Sequence, residues 1–153
     1  MFFNKVGKMA LGSRLRLLNE RMSDDAAQLY RVYGVNLKPK WFPVFYVLSN
    51  NQKKSITAIA KEIGHSHPSV SKIVREMAKA GLVLEKPDKG DRRKNIISLT
   101  SKGKEVAEKI KDQYLDVDKA VEEALNQTSH NLWTALEEFE YLLDQKSLLE
   151  RVL

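Results

Sequence analysis

Residues 55–103, SITAIAKEIGHSHPSVSKIVREMAKAGLVLEKPDKGDRRKNIISLTSKG, carry the reading on which the fold turns. Ser55 is a helix cap, and Ile56, Ile59, Ala60 and Ile63 follow at helical spacing before Gly64 stops the run. Ser66 caps a further helix with Pro68 at its start, where no intrahelical donor is lost. Val70, Ile73, Val74 and Met77 form its apolar stripe, and Gly81 ends it. Leu82-Val83-Leu84 and Ile96-Ile97-Ser98-Leu99 then read as two short strands around PDKGDRRK, whose Pro, Asp and Gly residues suit a hairpin tip. Two short helices joined by a tight turn, followed at once by a charged hairpin, are the elements of a winged helix-turn-helix.

A helix that enters a DNA groove buries one side and offers polar groups on the other. With Val70, Ile73, Val74 and Met77 inward, the outward set is His67, Ser69, Ser71, Lys72 and Arg75, with Glu76 and Lys79 at the rim. Hydroxyls, a guanidinium and an ammonium are the groups that meet base edges and phosphates. Each alone reads as ordinary solvent exposure; together on one face they favour DNA. The tip adds Lys86, Lys89, Arg92, Arg93 and Lys94 against Asp88 and Asp91. A narrow minor groove focuses negative potential and draws Arg. Asp91 is placed to orient one of the two guanidiniums and leave the other free.

The charge distribution agrees. The whole chain is net +6. Residues 1–50 hold eight Lys/Arg against three Asp/Glu, residues 51–104 thirteen against five, and residues 105–153 five against twelve. The basic middle suits a polyanion, through phosphate neutralisation and counterion release.

The flanks are helical. Apolar residues recur over roughly 2–33, from Leu11, Leu15 and Leu18 to Tyr30, with a stop at Gly34 and a break expected near Gly12 if anywhere. WFPVFYVLSN reads as a short, very apolar helix, and Thr100 caps a long one running to about Leu125. After the turn NQTSH, a last helix sets Leu132, Leu136, Phe139 and Leu143 on one side. The expected fold is mainly α with a small β-hairpin wing, an α+β arrangement in a single domain over 1–153. About 36–100 forms the winged DNA-binding part, and about 1–35 and 100–153 form long dimerisation helices. With no Cys there is no disulfide framework, thiolate metal site or thiol switch. Lys5, Lys8, Arg14 and Arg16 interrupt the apolar N-terminal residues, so no signal peptide or membrane span is expected, and a cytoplasmic location is.

Three stretches together resemble the multiple-antibiotic-resistance-regulator (MarR) family of bacterial transcription regulators: IAKEIGHSHPSVSKIVREMAKAGLV, DKGDRRKNIISLT and SLTSKGKEV. The D-x-x-D-R-R wing followed by L-T-x-x-G is the specific part, and the resemblance covers roughly residues 40–110. It implies a homodimer that presents one recognition helix, here about 67–80, to each half of a palindromic operator. By position it makes Arg92 or Arg93 the minor-groove residue, Ser69, Ser71, Lys72 and Arg75 the major-groove residues, and Asp91 the acidic support of the wing. His67, Lys89 and Lys94 complete the candidate DNA surface. Repression is the family's commoner mode and is expected here.

The resemblance also implies small aromatic ligands held where dimer-forming helices meet the reader. Arg16, Tyr30, Trp41, Phe42 and Phe45 are candidate pocket residues, although core packing is the favoured reading of the aromatics. Phe3, Val6, Leu132, Leu136, Phe139 and Leu143 are the candidate dimer interface, with burial between subunits favoured over packing within one. His65 and His67 lie two apart and His130 is remote, so no metal and no cofactor is expected. G-x-S-x-G, a phosphate loop and a dinucleotide fingerprint are all missing, which disfavours an enzyme. The alternative is a winged-helix adaptor that docks a protein partner, a role with no use for five basic residues at the wing.

Overall fold

The structure, a computed structural model, describes all 153 residues and divides into two compact units, Met1–Lys111 and Asp112–Leu153. In the first unit, α1 (Phe2–Val6) and a 3-10 turn (Lys8–Ala10) precede the long α2 (Leu11–Val32). A second 3-10 turn (Pro39–Trp41) leads into α3 (Phe42–Leu48), then β1 (Lys54–Ser55), α4 (Ile56–Ile63), α5 (His67–Lys79), β2 (Val83–Pro87), β3 (Asn95–Leu99) and α6 (Ser101–Lys109). From Lys111 the chain continues as α7 (Lys111–Asn126), α8 (Leu132–Gln145) and α9 (Leu148–Val152). The mainly helical chain with a small antiparallel sheet is the fold expected from the sequence.

The centre of the first unit is dry. Val44, Phe45 and Leu48 of α3 are fully buried with Ile59 of α4, Val70, Val74 and Met77 of α5, and Ile97 of β3. These are the apolar positions of three short helices and the middle of the sheet, so removing them from water is what holds the reader together. The sheet order is β1-β3-β2, antiparallel throughout, with Lys54 opposite Ile97, and Val83 opposite Leu99. Pro87 lies on the edge strand β2, where its missing N–H costs no ladder bond.

Several boundaries differ from the expected ones. The first helix is not continuous: the chain breaks at Gly7, whose φ of 81° lies in the left-handed region, while Gly12 sits inside α2. The hairpin strands extend further toward the tip, to Pro87 and from Asn95. Two residues ahead of α4 pair as β1, a strand too short to show a period of two. The helix capped by Thr100 ends at Lys109 with Ile110 as its C-cap, and α7 starts afresh with neither Gly nor Pro at the joint. In the second unit α9 is an added element. Ser147 and Glu150 close a capping box at its start, and Arg151 donates to the carbonyls of Leu142 and Lys146 at the end of α8.

Candidate nucleic-acid interface

The turn between α4 and α5 is short because each end is closed locally. Gly64 adopts φ 69°, and the His65 N–H donates to the Ala60 carbonyl at 3.0 Å. Two residues on, the Ser66 hydroxyl accepts from the Ser69 N–H at 3.3 Å and opens α5. With Val70, Ile73, Val74 and Met77 turned inward, the helix can present only its other side. His67, Lys72 and Arg75 are exposed there, and Ser69 and Ser71 are half-buried. The four candidate major-groove residues, Ser69, Ser71, Lys72 and Arg75, and His67 thus lie on the free side of one helix.

Glu76, half-buried at the rim of that face, is held by two partners. One carboxylate oxygen accepts from Lys40 Nζ at 2.9 Å and the other from Trp41 Nε1 at 2.8 Å. Trp41 itself is buried, and Lys38 lies over its ring, 5.5 Å from the centroid. The hydrogen bond from Trp41, the one from Lys40 and the charges of Lys40 and Lys38 hold the Glu76 carboxyl down to about 2. Sequence gave no sign of this clasp, since Trp41 and Glu76 are 35 residues apart and on different elements.

At the wing, residues 88–94 are folded by their own polar groups. The Asp88 N–H donates to the Lys94 carbonyl at 2.8 Å, and the Lys94 N–H to the Asp91 carbonyl at 3.0 Å. One oxygen of Asp91 accepts from both the backbone N–H and the Nε of Arg93, at 3.1 and 3.2 Å. Arg92 is exposed and carries no hydrogen bond or ion pair. Asp91 therefore orients Arg93 and leaves Arg92 free. Lys89 and Lys94 are exposed beside it.

The base of the wing is fastened by the L-T-x-x-G motif. The Thr100 hydroxyl donates to the Gly81 carbonyl at 2.6 Å and accepts from the Gly103 N–H at 3.0 Å. Lys102 Nζ reaches the Ala80 carbonyl at 2.9 Å. Gly103 is buried so closely that a Cβ there would stand 2.2 Å from the Leu82 carbonyl oxygen. The end of α5, the start of β2 and the start of α6 meet at this point.

A cleft of about 810 Å³ opens between α2, the Lys38–Pro43 segment and α5. Its walls include Asn19, Ser23 and Asp24 on one side and Lys40, Phe42, His65, Ser69 and Lys72 on the others. Among the candidate pocket residues only Phe42 lines it, with 41% of its surface exposed. Trp41 and Phe45 are buried in the core, whereas Phe42 and Tyr46 of the same aromatic stretch are exposed. Tyr30 is buried, and burial raises its phenol above the ordinary value. Arg16 is exposed and paired with Glu20 one turn along α2. His65 Nδ1 sits 3.0 Å from the Ile63 carbonyl, and no three His, Asp or Glu side chains are grouped as a metal site requires.

Among the candidate dimer residues, Phe3 and Val6 of α1 are half-buried, and the Arg14 guanidinium lies 5.9 Å from the Phe3 ring centre. Leu136 and Leu143 of α8 are half-buried, while Leu132 and Phe139 are 41% and 38% exposed. No helix is long and apolar enough to cross a membrane.

Comparison with known proteins finds similarity on both levels. Residues 35–94 match the family model described as MarR family. Curated sequences give no significant match. Among solved structures, a point mutant of E. coli MarR complexed with operator DNA superposes with a TM-score of 0.68 at 19% identity, covering 95% of this chain and 97% of that one. MepR from S. aureus, in a complex with DNA, gives 0.69 at 16% identity over 91% and 98%. NadR in complex with 4-hydroxyphenylacetate gives 0.57 at 19% over 94% and 95%. The matched segment runs from the loop before α3 to the tip of the wing, short of β3, and contains the helix pair and the D-x-x-D-R-R tip, so the similarity of this chain to the MarR family is carried by its helix-turn-helix and wing tip.

Proposed function

We propose that this chain is a cytoplasmic, sequence-specific DNA-binding transcriptional regulator that acts as a homodimer on a palindromic operator. The observation that carries the reading is the wing: Asp91 holds Arg93, Arg92 stands free, and both follow directly from a helix whose exposed side is built of Ser, Lys, Arg and His. Arg92 enters the minor groove; Ser69, Ser71, Lys72 and Arg75 face the major groove with His67 at the helix start. Lys89 and Lys94 take phosphates. The flanking helices, 1–35 and 100–153, supply the dimer contacts through Phe3, Val6, Leu132, Leu136, Phe139 and Leu143.

Repression is relieved by a small aromatic effector. The phenolic acid bound by NadR, a protein of similar fold, supports that ligand class. The cleft beside Phe42 is its receptor, since it sets the Phe42 ring near the cations of Lys40 and Lys72, and Lys72 also faces the DNA.

The test is selection of bound duplexes from a random pool, followed by gel-shift titration as salt is raised. Six to ten phosphate contacts lower affinity by about 10³ to 10⁵ between roughly 50 and 200 mM salt. Arg92→Ala is expected to weaken the selected site by about 1–3 kcal/mol, and Arg93→Ala by less. A protein that selects no sequence, or an Arg92→Ala variant that binds as tightly as the parent, would overturn the assignment. A protein-docking adaptor predicts both of those results.

A further inference from the structure

We propose that Glu76 is a positioning residue for operator readout: its carboxylate locks the recognition helix α5 to the 3-10 turn that leads into α3, through Trp41 and Lys40. The inference rests on the DNA-binding reading and adds a residue to it that touches no DNA.

Geometry carries the case. A carboxylate on the rim of a DNA-reading helix repels phosphate, so its charge alone is a disadvantage there. Glu76 is one residue beyond Arg75 and one helical turn beyond Lys72, close to both in the same helix. Yet it is not loose: each of its oxygens has its own donor, and its side chain is only 24% exposed. The Trp41 donor is buried and cannot move without disturbing the core. Packing of Val70, Ile73, Val74 and Met77 sets how deep α5 sits, but an apolar contact is non-directional and tolerates rotation about the helix axis. Two directional bonds from one side of that axis do not. Charge-assisted bonds of this kind specify orientation. The clasp therefore fixes the rotation of α5, and with it the direction in which Lys72 and Arg75 leave the helix. A base-edge bond depends steeply on that direction, whereas a phosphate contact from a flexible Lys does not.

Two conservative variants separate positioning from charge. Glu76→Gln keeps the shape and removes the negative charge; Trp41→Phe keeps the charge and removes one donor. Binding is measured to a duplex selected from a random pool and to a scrambled duplex of equal length, with melting curves run alongside. If charge alone matters, Glu76→Gln binds both duplexes more tightly. If the clasp positions α5, both variants bind the selected duplex roughly tenfold more weakly while the scrambled duplex is held as well as before. Unchanged or tighter binding of the selected duplex by Glu76→Gln overturns the proposal, as does an equal loss on both duplexes in both variants. Should one variant lose its melting transition, the other decides alone. A parent protein that fails to distinguish the two duplexes counts against the regulator reading itself.

Discussion

At the scale of single residues, the same carboxylate has a signature in stability. Glu76 is held at about 2 against an ordinary 4.5, by the Trp41 and Lys40 hydrogen bonds and the Lys40 and Lys38 charges. A carboxyl with a depressed value stabilises the folded state fully above its unfolded value and loses that contribution as pH falls toward its folded one. The window here runs from 4.5 down to about 2. The parent is therefore expected to be more stable than Glu76→Gln near neutrality, and the gap between them to close as pH is lowered through that window. Urea midpoints of the two proteins at stepped pH values check it. A gap that stays constant would mean that the charge of Glu76 contributes nothing to the clasp.

At the scale of elements, the decisive joint is the one between wing and α6. Thr100 and Gly103 are three residues apart, and each does something its neighbours cannot: one hydroxyl bridges two backbone groups, and one missing Cβ lets the Leu82 carbonyl come close. Gly103→Ala would force that carbonyl and α6 apart, because the contact is with backbone and not with a flexible side chain. The expected cost is about 2–3 kcal/mol, read as a lower urea midpoint with the helical circular dichroism retained. The joint also explains what could be read from sequence. Helix starts were legible because Ser55, Ser66 and Thr100 accept from backbone N–H groups, as their side chains allow. Helix ends with glycine were legible for the same local reason. What escaped was non-local: β1 exists only because β3 lies beside it, and the Glu76 clasp only because the Pro39–Trp41 turn and α5 meet. The break at Ile110 carries no local mark at all. At the site, the exposed face of α5 followed from spacing, and Asp91 was expected to hold one of its two neighbouring arginines; that the one held is Arg93 depends on how the tip folds, and the pocket aromatics could not be sorted from sequence. Trp41 and Phe45 are apolar enough for either a core or a ligand, and only burial separates the two.

At the scale of the molecule, the long helices leave apolar surface uncovered. In the first unit α2 exposes Leu11, Leu15, Leu18 and Met22, each between 37% and 52% exposed. In the second, α8 exposes Leu132, Phe139 and Leu142, and α9 exposes Leu148, Leu149 and Val152. Single exposed leucines are ordinary; runs of them at helical spacing on long helices mark a surface that a partner covers. A second copy is the economical partner, because two half-sites bound by one dimer turn the second contact into an intramolecular one. The chain is therefore expected to sediment at twice its mass at micromolar concentration. Phe139→Glu sets a charge in the middle of the α8 surface and is expected to shift the protein toward monomer, with helical circular dichroism unchanged. Because bivalence multiplies affinity by a factor of about 10² or more, that monomer should lose most operator binding while keeping every DNA-facing residue. A Phe139→Glu protein that stays dimeric would move the interface away from α8. A parent that sediments as a monomer would remove the dimer altogether, and the wing and recognition helix would then have to hold DNA as a single copy.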